Sequence, residues 1–434
     1  MATPKESARR LSRVISGDDT TLYSTLCSLL TVLIVGWGIA AIVCGLARRR
    51  PGLSLAAPLV VAAGARVLAA GILSSSNSLA RLRGPDDVGF VEQARALHGQ
   101  DLLPGSGPLA SELHLDLLGL TLNTFGPAEA FSFRLLNIGF AVAGIALIAG
   151  AVYDLAGPKA ALVACWLAAL EPASIFFSGV IQKESLMILA EGITVFGGVR
   201  MWKRRDPAAV ALLVLGCAVA VLTRSYAGAF LAAAGVALTL HAALRRAGPA
   251  HQRAWPLAGT ACTVAVVGLG LAAARSDALL AQLQSQQDFY AADASNLRLP
   301  RVDVSTPGGA AAALPRRTVD LLMRPLPWQL ENTSQQLAVV GTLVGWMLII
   351  AVVWLVTIDR RGASQRGPPV AYFLIAVTVA YALSVSNGGT GFRYRTHVVL
   401  LLTALAAALG GDRLGRVMLR MPAPLLRLSR SSPL

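Results

Sequence analysis

Residues 24–46, STLCSLLTVLIVGWGIAAIVCGL, contain no charged side chain and stop against Ala47-Arg48-Arg49-Arg50. A helix needs about 20 mainly apolar residues to cross a hydrocarbon layer of about 30 Å, so this run reads as a membrane span. It is too long, and too poor in a small-residue cleavage site, to be a plain signal peptide. The rest of the chain fits that beginning. Its 434 residues are 55% hydrophobic and only 14% charged, against about 25% charged in an average soluble chain. Too few charges are present to clothe so much apolar surface, which excludes a soluble enzyme, a disordered protein and a secreted disulfide scaffold. Cys27, Cys44, Cys165, Cys217 and Cys262 all fall inside apolar runs without CxxC or Cys/His spacing, and read as small interior residues.

Outward from the first run, further apolar stretches lie near 53–74, 131–153, 159–178, 184–201, 207–223, 226–243, 255–274, 338–358, 369–386 and 396–411. Together they predict an all-α polytopic membrane protein of about eleven transmembrane helices, with two long extracytoplasmic loops, 75–130 and 275–337, carrying interfacial helices. Leu109–Phe125 and Arg317–Leu330 are the amphipathic stretches in those loops, and Trp328 is a candidate interface anchor. The expected organisation is an N-terminal segment 1–23, one transmembrane domain 24–411 and a basic cytoplasmic tail 412–434. No internal repeat is visible, which weakens an inverted-repeat transporter.

The formal net charge of +15 is mostly topological signal. Arg48–Arg50, Arg200 with Lys203–Arg205, Arg245 with Arg246 and Arg253, Arg360 with Arg361 and Arg366, and the arginines of the tail fall on one side of the membrane, read as the cytoplasm. Nucleic acid is therefore not an expected partner. Lys5, Arg9, Arg10 and Arg13 fit poorly, because an odd number of spans puts them outside. Either residues 1–20 form an outer surface segment or one of the first two spans is miscounted.

The sharpest local signal is GPDDVGFVEQARAL, residues 84–97. Gly84-Pro85 ends whatever precedes it, and Asp86 and Asp87 stand where a helix would begin, with Phe90, Ala94 and Leu97 as its apolar face. The pair reads either as an N-cap or as a cap beside a general base. Cations at the outer ends of spans form a second set: Arg134 in FRLLN, Lys183-Glu184 in SGVIQKES, Arg224 in LTRSYAG, and Arg393 and Arg395 in SNGGTGFRYR. Singly they read as lipid-surface anchors or salt-bridge partners; together they read as a site for a lipid phosphate. The Gly-rich stretch before Arg393 would let backbone N–H groups approach an anion. If the segment is extended, Arg393 and Arg395 point the same way; if it is helical, they diverge by about 200°. Arg66, in mid-span, demands a partner, and Glu171 is the candidate. The five histidines are dispersed, a Walker A loop and a serine elbow are absent, and no metal site stands out.

The order of these features resembles polytopic glycosyltransferases of the GT-C type that use polyprenyl-phosphate sugars. In those proteins an acidic pair followed by an aromatic residue and Ala stands early in the first outer loop. Asp86, Asp87, Phe90 and Ala94 match it, and Phe125-Gly126, Phe133–Asn137, Pro172 and Lys183-Glu184 follow in the same order over residues 80–245. Two spans rather than one precede the acidic loop. The C-terminal half, with RPLPW at 324–328 and GGTGFRYR at 388–395, looks more like polymerase-like membrane proteins of bacterial exopolysaccharide clusters.

The resemblance implies an inverting glycosyltransferase at the outer face of a bacterial cytoplasmic membrane. Such an enzyme moves a sugar from a polyprenyl-phosphate donor to a saccharide or lipid-linked acceptor. Asp86 or Asp87 would be the base, with Asp87 favoured for contact with the cavity, and Lys183, Arg224, Arg393 and Arg395 would take the lipid phosphate. Arg66, Arg134 and Glu184 are further candidates. No cofactor is expected, and the participation of a divalent ion stays open. A polymerase or ligase using lipid-diphosphate oligosaccharides, and a transporter or lipid-sugar flippase, are the alternatives.

Overall fold

A computed structural model describes residues 4–75, 80–96, 112–125, 130–245, 277–292, 297–330 and 333–418. The expected span at 255–274 and the end of the basic tail lie outside the described residues. Those residues form sixteen α-helices, one 3₁₀ turn and an isolated bridge between Arg298 and Asn387, with no strand among them.

Seven of these helices are long and apolar enough to cross a membrane, or nine if each of two bent pairs makes one crossing. The long helices are α1 (Pro4–Arg48), α2 (Ala56–Ser75), α5 (Ala130–Ala156), α8 (Glu184–Lys203), α10 (Ser225–Leu244), α13 (Thr333–Ile358) and α16 (Gly388–Met418, broken at Gly411). The bent pairs are α6 (Pro158–Ala169) with α7 (Pro172–Ser178), at 59°, and α14 (Arg360–Arg366) with α15 (Pro368–Ser384), at 74°. The apolar α9 (Pro207–Thr223) is shorter. Four further helices lie in the segments read as outer: α3 (Ala80–Ala96), α4 (Glu112–Phe125), α11 (Asp277–Ala292) and α12 (Pro307–Met323).

Proline sets many of the starts. α6, α7, α9, α12 and α15 each begin at one, where the missing N–H costs nothing and the fixed φ suits the helix. Side-chain oxygens complete several caps: Asp206 accepts from Ala209 N at 2.8 Å and Thr306 from Gly309 N at 3.1 Å. Gly157, at φ 87°, makes the turn between α5 and α6 that a side chain would strain. Where α5 crosses α8, a Cβ on Gly192 would stand 2.6 Å from the Gly144 carbonyl oxygen, so the two backbones touch. Small residues at a crossing are how membrane helices approach closely enough for dispersion to hold them.

α16 occupies the centre. An 18-residue stretch of its span Gly388–Gly411 is wholly buried, and it packs on α5, α6, α12, α13 and α15. At the periphery, α1 and α13 turn Leu33, Trp37, Met347 and Ile350 outward, as lipid-facing helices do. This division matters for the site, since a helix carrying arginines at membrane depth must be enclosed by protein.

Several expectations need correction. α1 runs unbroken back to Pro4, so residues 4–23 continue the first helix. α3 begins at Ala80, six residues before Asp86, and passes through Gly84-Pro85. Asp87 is thus inside a helix and does not cap it, because tertiary contacts outweigh the single bond that a proline removes. The helix expected over 317–330 ends at Met323, where Pro325 and Pro327 cannot continue it; Trp328 follows in a 3₁₀ turn and is 78% exposed. The Gly-rich stretch before Arg393 is the first turn of α16. Asn387 caps that turn by accepting from Thr390 N at 2.8 Å, so it is no anion-cradling loop.

Candidate functional site

The short link Val180–Lys183 between α7 and α8 collects the predicted residues at one end of the bundle. Asp87 of α3 is 2% exposed and has both oxygens engaged: one accepts from Ile181 N at 2.6 Å, the other pairs with Arg134 at 2.7 Å. Arg134 also donates to Ser74 Oγ of α2 at 2.5 Å, so a single ion pair ties α3 to α2, α5 and the link. The Asn137 amide reaches the carbonyls of Val180 and Gln182, both at 3.4 Å. Asp86 stands beside Asp87 in α3, and its side chain lies outside the described residues.

The next two residues of the chain carry the charge outward. Lys183 Nζ lies 5.4 Å from the centre of the Phe90 ring, and Glu184 opens α8 fully buried. Glu184 is clasped from two sides: Arg224 pairs with its Oε1, and Arg393 Nε lies 3.2 Å from the same oxygen. Arg224 owes its place to the break between α9 and α10, where it adopts extended backbone. Two tyrosines fix the guanidiniums. Arg224 sits 4.9 Å from the Tyr394 ring centre and 5.6 Å from that of Tyr381, and Arg393 sits 5.5 Å from Tyr394. Tyr381 and Tyr394 stack with centres 4.7 Å apart. Two cations thus share one carboxylate oxygen, with Lys183 next to Glu184 in the chain.

Arg395 points elsewhere. Two positions along a helix turn it about 200° from Arg393. It is 2% exposed and donates to the carbonyls of Leu321, at 2.8 Å, and of Arg324, and to the Thr342 hydroxyl. Its contacts hold α12 and α13 on α16 and lie apart from the Glu184 cluster. Arg66 is also consumed by the fold. It is fully buried and donates to Ala62 O at 3.0 Å, Ala169 O at 3.1 Å and Ser174 Oγ at 2.6 Å. Those acceptors belong to its own helix and to the break between α6 and α7, which leaves carbonyls without intrahelical partners. Glu171, the expected partner, caps the other side of that break by accepting from Ala173 N and Ser174 N. The two charges therefore serve one break and meet through Ser174.

Three further buried residues are not among the expected site residues. His114 of α4 is fully buried edge-on between Phe90 and Phe133, with ring centres 5.1 and 5.2 Å away. Burial, helped by the Lys183 charge, pulls its imidazole down to about 3, so it is neutral at pH 7. Deeper in the bundle His397 Nδ1 lies 3.1 Å from Glu191 Oε1, both fully buried, with Tyr381 stacked on the His397 ring. An ionisable residue inside each of the spans 184–201 and 396–411 is the signal that finds Glu191 and His397. His114 has no such signal, because its neighbours are aromatic and distant in sequence.

Among the described residues no group of three His, Cys, Asp or Glu side chains gathers as a metal-binding cluster. Comparison with protein-family models, with curated proteins and with solved structures gives no match to this chain. The fold and site together define a helical membrane protein with a buried, cation-rich cluster at one end of its bundle.

Proposed function

We propose that the protein is an integral membrane glycosyltransferase that moves a sugar from a polyprenyl-phosphate carrier to an acceptor, with inversion. We place it in the bacterial cytoplasmic membrane, with about eleven spans, the segments 75–130 and 275–337 outside, and the site on the outer face. The observation that carries the reading is the pairing of Arg224 and Arg393 on the single carboxylate of Glu184 beside Lys183, adjoining the docked helix α3 that bears Asp86 and Asp87. Cations gathered in a low-dielectric setting favour a phosphate monoester that gains charge as it departs.

In this reading the acceptor hydroxyl gives its proton to a carboxylate as its oxygen attacks the anomeric carbon. The bond from that carbon to the phosphate oxygen breaks on the opposite face, and the polyprenyl phosphate leaves toward Arg224, Arg393 and Lys183. Both oxygens of Asp87 are committed to Arg134 and to the Ile181 N–H, which suits a positioning residue. The base role therefore passes to Asp86. Arg395, spent on backbone carbonyls, drops out of the phosphate site and keeps a structural role.

The test is release of polyprenyl phosphate from a short-chain synthetic donor by the reconstituted protein. Asp86→Asn is expected to lower turnover by about 10²–10⁴ with carrier binding and thermal stability retained. Near-normal turnover in that variant would remove Asp86 from the reaction, and failure to bind any polyprenyl-phosphate sugar would overturn the class.

A further inference from the structure

The opposite end of the bundle holds a second concave site, built by α1, α5 and α8 and unconnected with the transfer reading. It is a cleft of about 370 Å³, within the range of about 300–1,000 Å³ usual for small-molecule sites. One wall is apolar, formed by Ala41, Ile42 and Leu147. The floor is Arg50, which pairs with Asp154 at 2.6 Å and lies 5.0 Å from the centre of the Phe196 ring. The rim is Arg48, Arg49 and Arg204, all exposed and without an ion pair among the described residues. Arg200, paired with Asp206 at 2.7 Å, closes the fourth side.

Five arginines thus line the cleft; Asp154 and Asp206 pair with two of them, which leaves Arg48, Arg49 and Arg204 without a carboxylate among the described residues. Such a concentration of like charge costs free energy unless an anion sits in it. The position says which anion. The cleft lies where α1 and α5 end, at the level of lipid headgroups for helices that span, and half of its lining is hydrocarbon. Gly45, with nothing within 4 Å of where a Cβ would stand, leaves the α1 side of the cleft open. A soluble phosphate has no use for the apolar wall, whereas a lipid uses both surfaces.

We propose that this cleft binds the headgroup of an anionic phospholipid, with Arg48, Arg49 and Arg204 on the phosphate and the apolar wall against the first methylenes of an acyl chain. Basic pockets between spans at the arginine-rich side are where such headgroups bind. The bound lipid would cement α1, which packs chiefly on α5, to the rest of the bundle.

The experiment is native mass spectrometry of the delipidated full chain titrated with phosphatidylglycerol, with phosphatidylcholine of the same chains, and with inorganic phosphate alone. Phosphatidylglycerol is expected to bind at least tenfold more tightly than phosphatidylcholine, and inorganic phosphate not to compete at equal concentration. Removing the rim as R48A/R49A/R204A should weaken phosphatidylglycerol about fivefold per arginine. Gly45→Trp, which fills the cleft without changing charge, should weaken it as well. Equal binding of the two lipids, competition by inorganic phosphate, or unchanged affinity in either variant overturns the proposal.

Discussion

Asp87 and Arg134 form a buried ion pair with each partner less than a tenth exposed, and removing one partner of such a pair strands the other charge. Asp87→Ala is therefore expected to destabilise the protein by about 3–5 kcal/mol, read as a lowered midpoint of thermal unfolding in detergent. A midpoint within a degree of wild type would mean that the pair is not formed. His114 carries a pH signature of α4. Its folded value of about 3 lies below the unfolded value near 6.5, so the unfolded chain binds the proton first as pH falls. Its contribution is complete above pH 6.5 and is lost between there and about pH 3, at up to ~1.4 kcal/mol per pH unit. His114→Phe, which fits between two phenylalanines, should flatten that acid slope while leaving stability at pH 7 near wild type; parallel slopes would place the ring in water. At this scale the sequence reveals which cations are out of place but not where they go. Arg66 asks for a partner, and its acceptors are backbone carbonyls of a helix break, which no residue type announces.

At the scale of elements, the crossing of α5 and α8 rests on two glycines. A methyl on Gly192 would meet the backbone of Gly144, so Gly192→Ala must push the helices apart. Overpacking of this kind costs about 1–3 kcal/mol. Gly64→Ala is the control, since nothing lies within 4 Å of its added Cβ. The first variant should lower the unfolding midpoint and the second should not; equal effects would reduce both to helix propensity. Apolar runs locate most helices to within a few residues, because length and hydrophobicity are properties of the run itself. Caps and breaks are less legible. The start of α16 at Gly388 follows from Asn387 and Thr390 acting together, and only that start decides that Arg393 and Arg395 diverge. The start of α3 is not legible because Gly84-Pro85 looks like a stop, whereas contacts to α2 and α4 carry the helix through it.

For the whole molecule, the arginine-rich end and the Glu184 end must face opposite sides of the membrane. In a background without native cysteine, a single Cys at Glu92 should react with an impermeant reagent from outside, and one at Ser364 only after the inner side is opened. The reverse pattern would invert the molecule and remove the outer site. The enclosure of α16 bears on how the chain is made. Each arginine at the centre of an inserting helix costs about +2.5–3.5 kcal/mol in the machinery that threads nascent chains into the bilayer. Arg393 and Arg395 near one end and His397 further in make α16 costlier to insert alone than an uncharged span, though by less than the central figure. Yet α5, α6, α12, α13 and α15, against which it packs, all precede it in the chain. A socket lined with Glu184, Thr342 and the Leu321 carbonyl is thus made before it, and α16 is expected to enter by docking against those neighbours. A lesion in that socket is therefore expected to show as a final span that fails to insert, read by protease protection of a C-terminal tag.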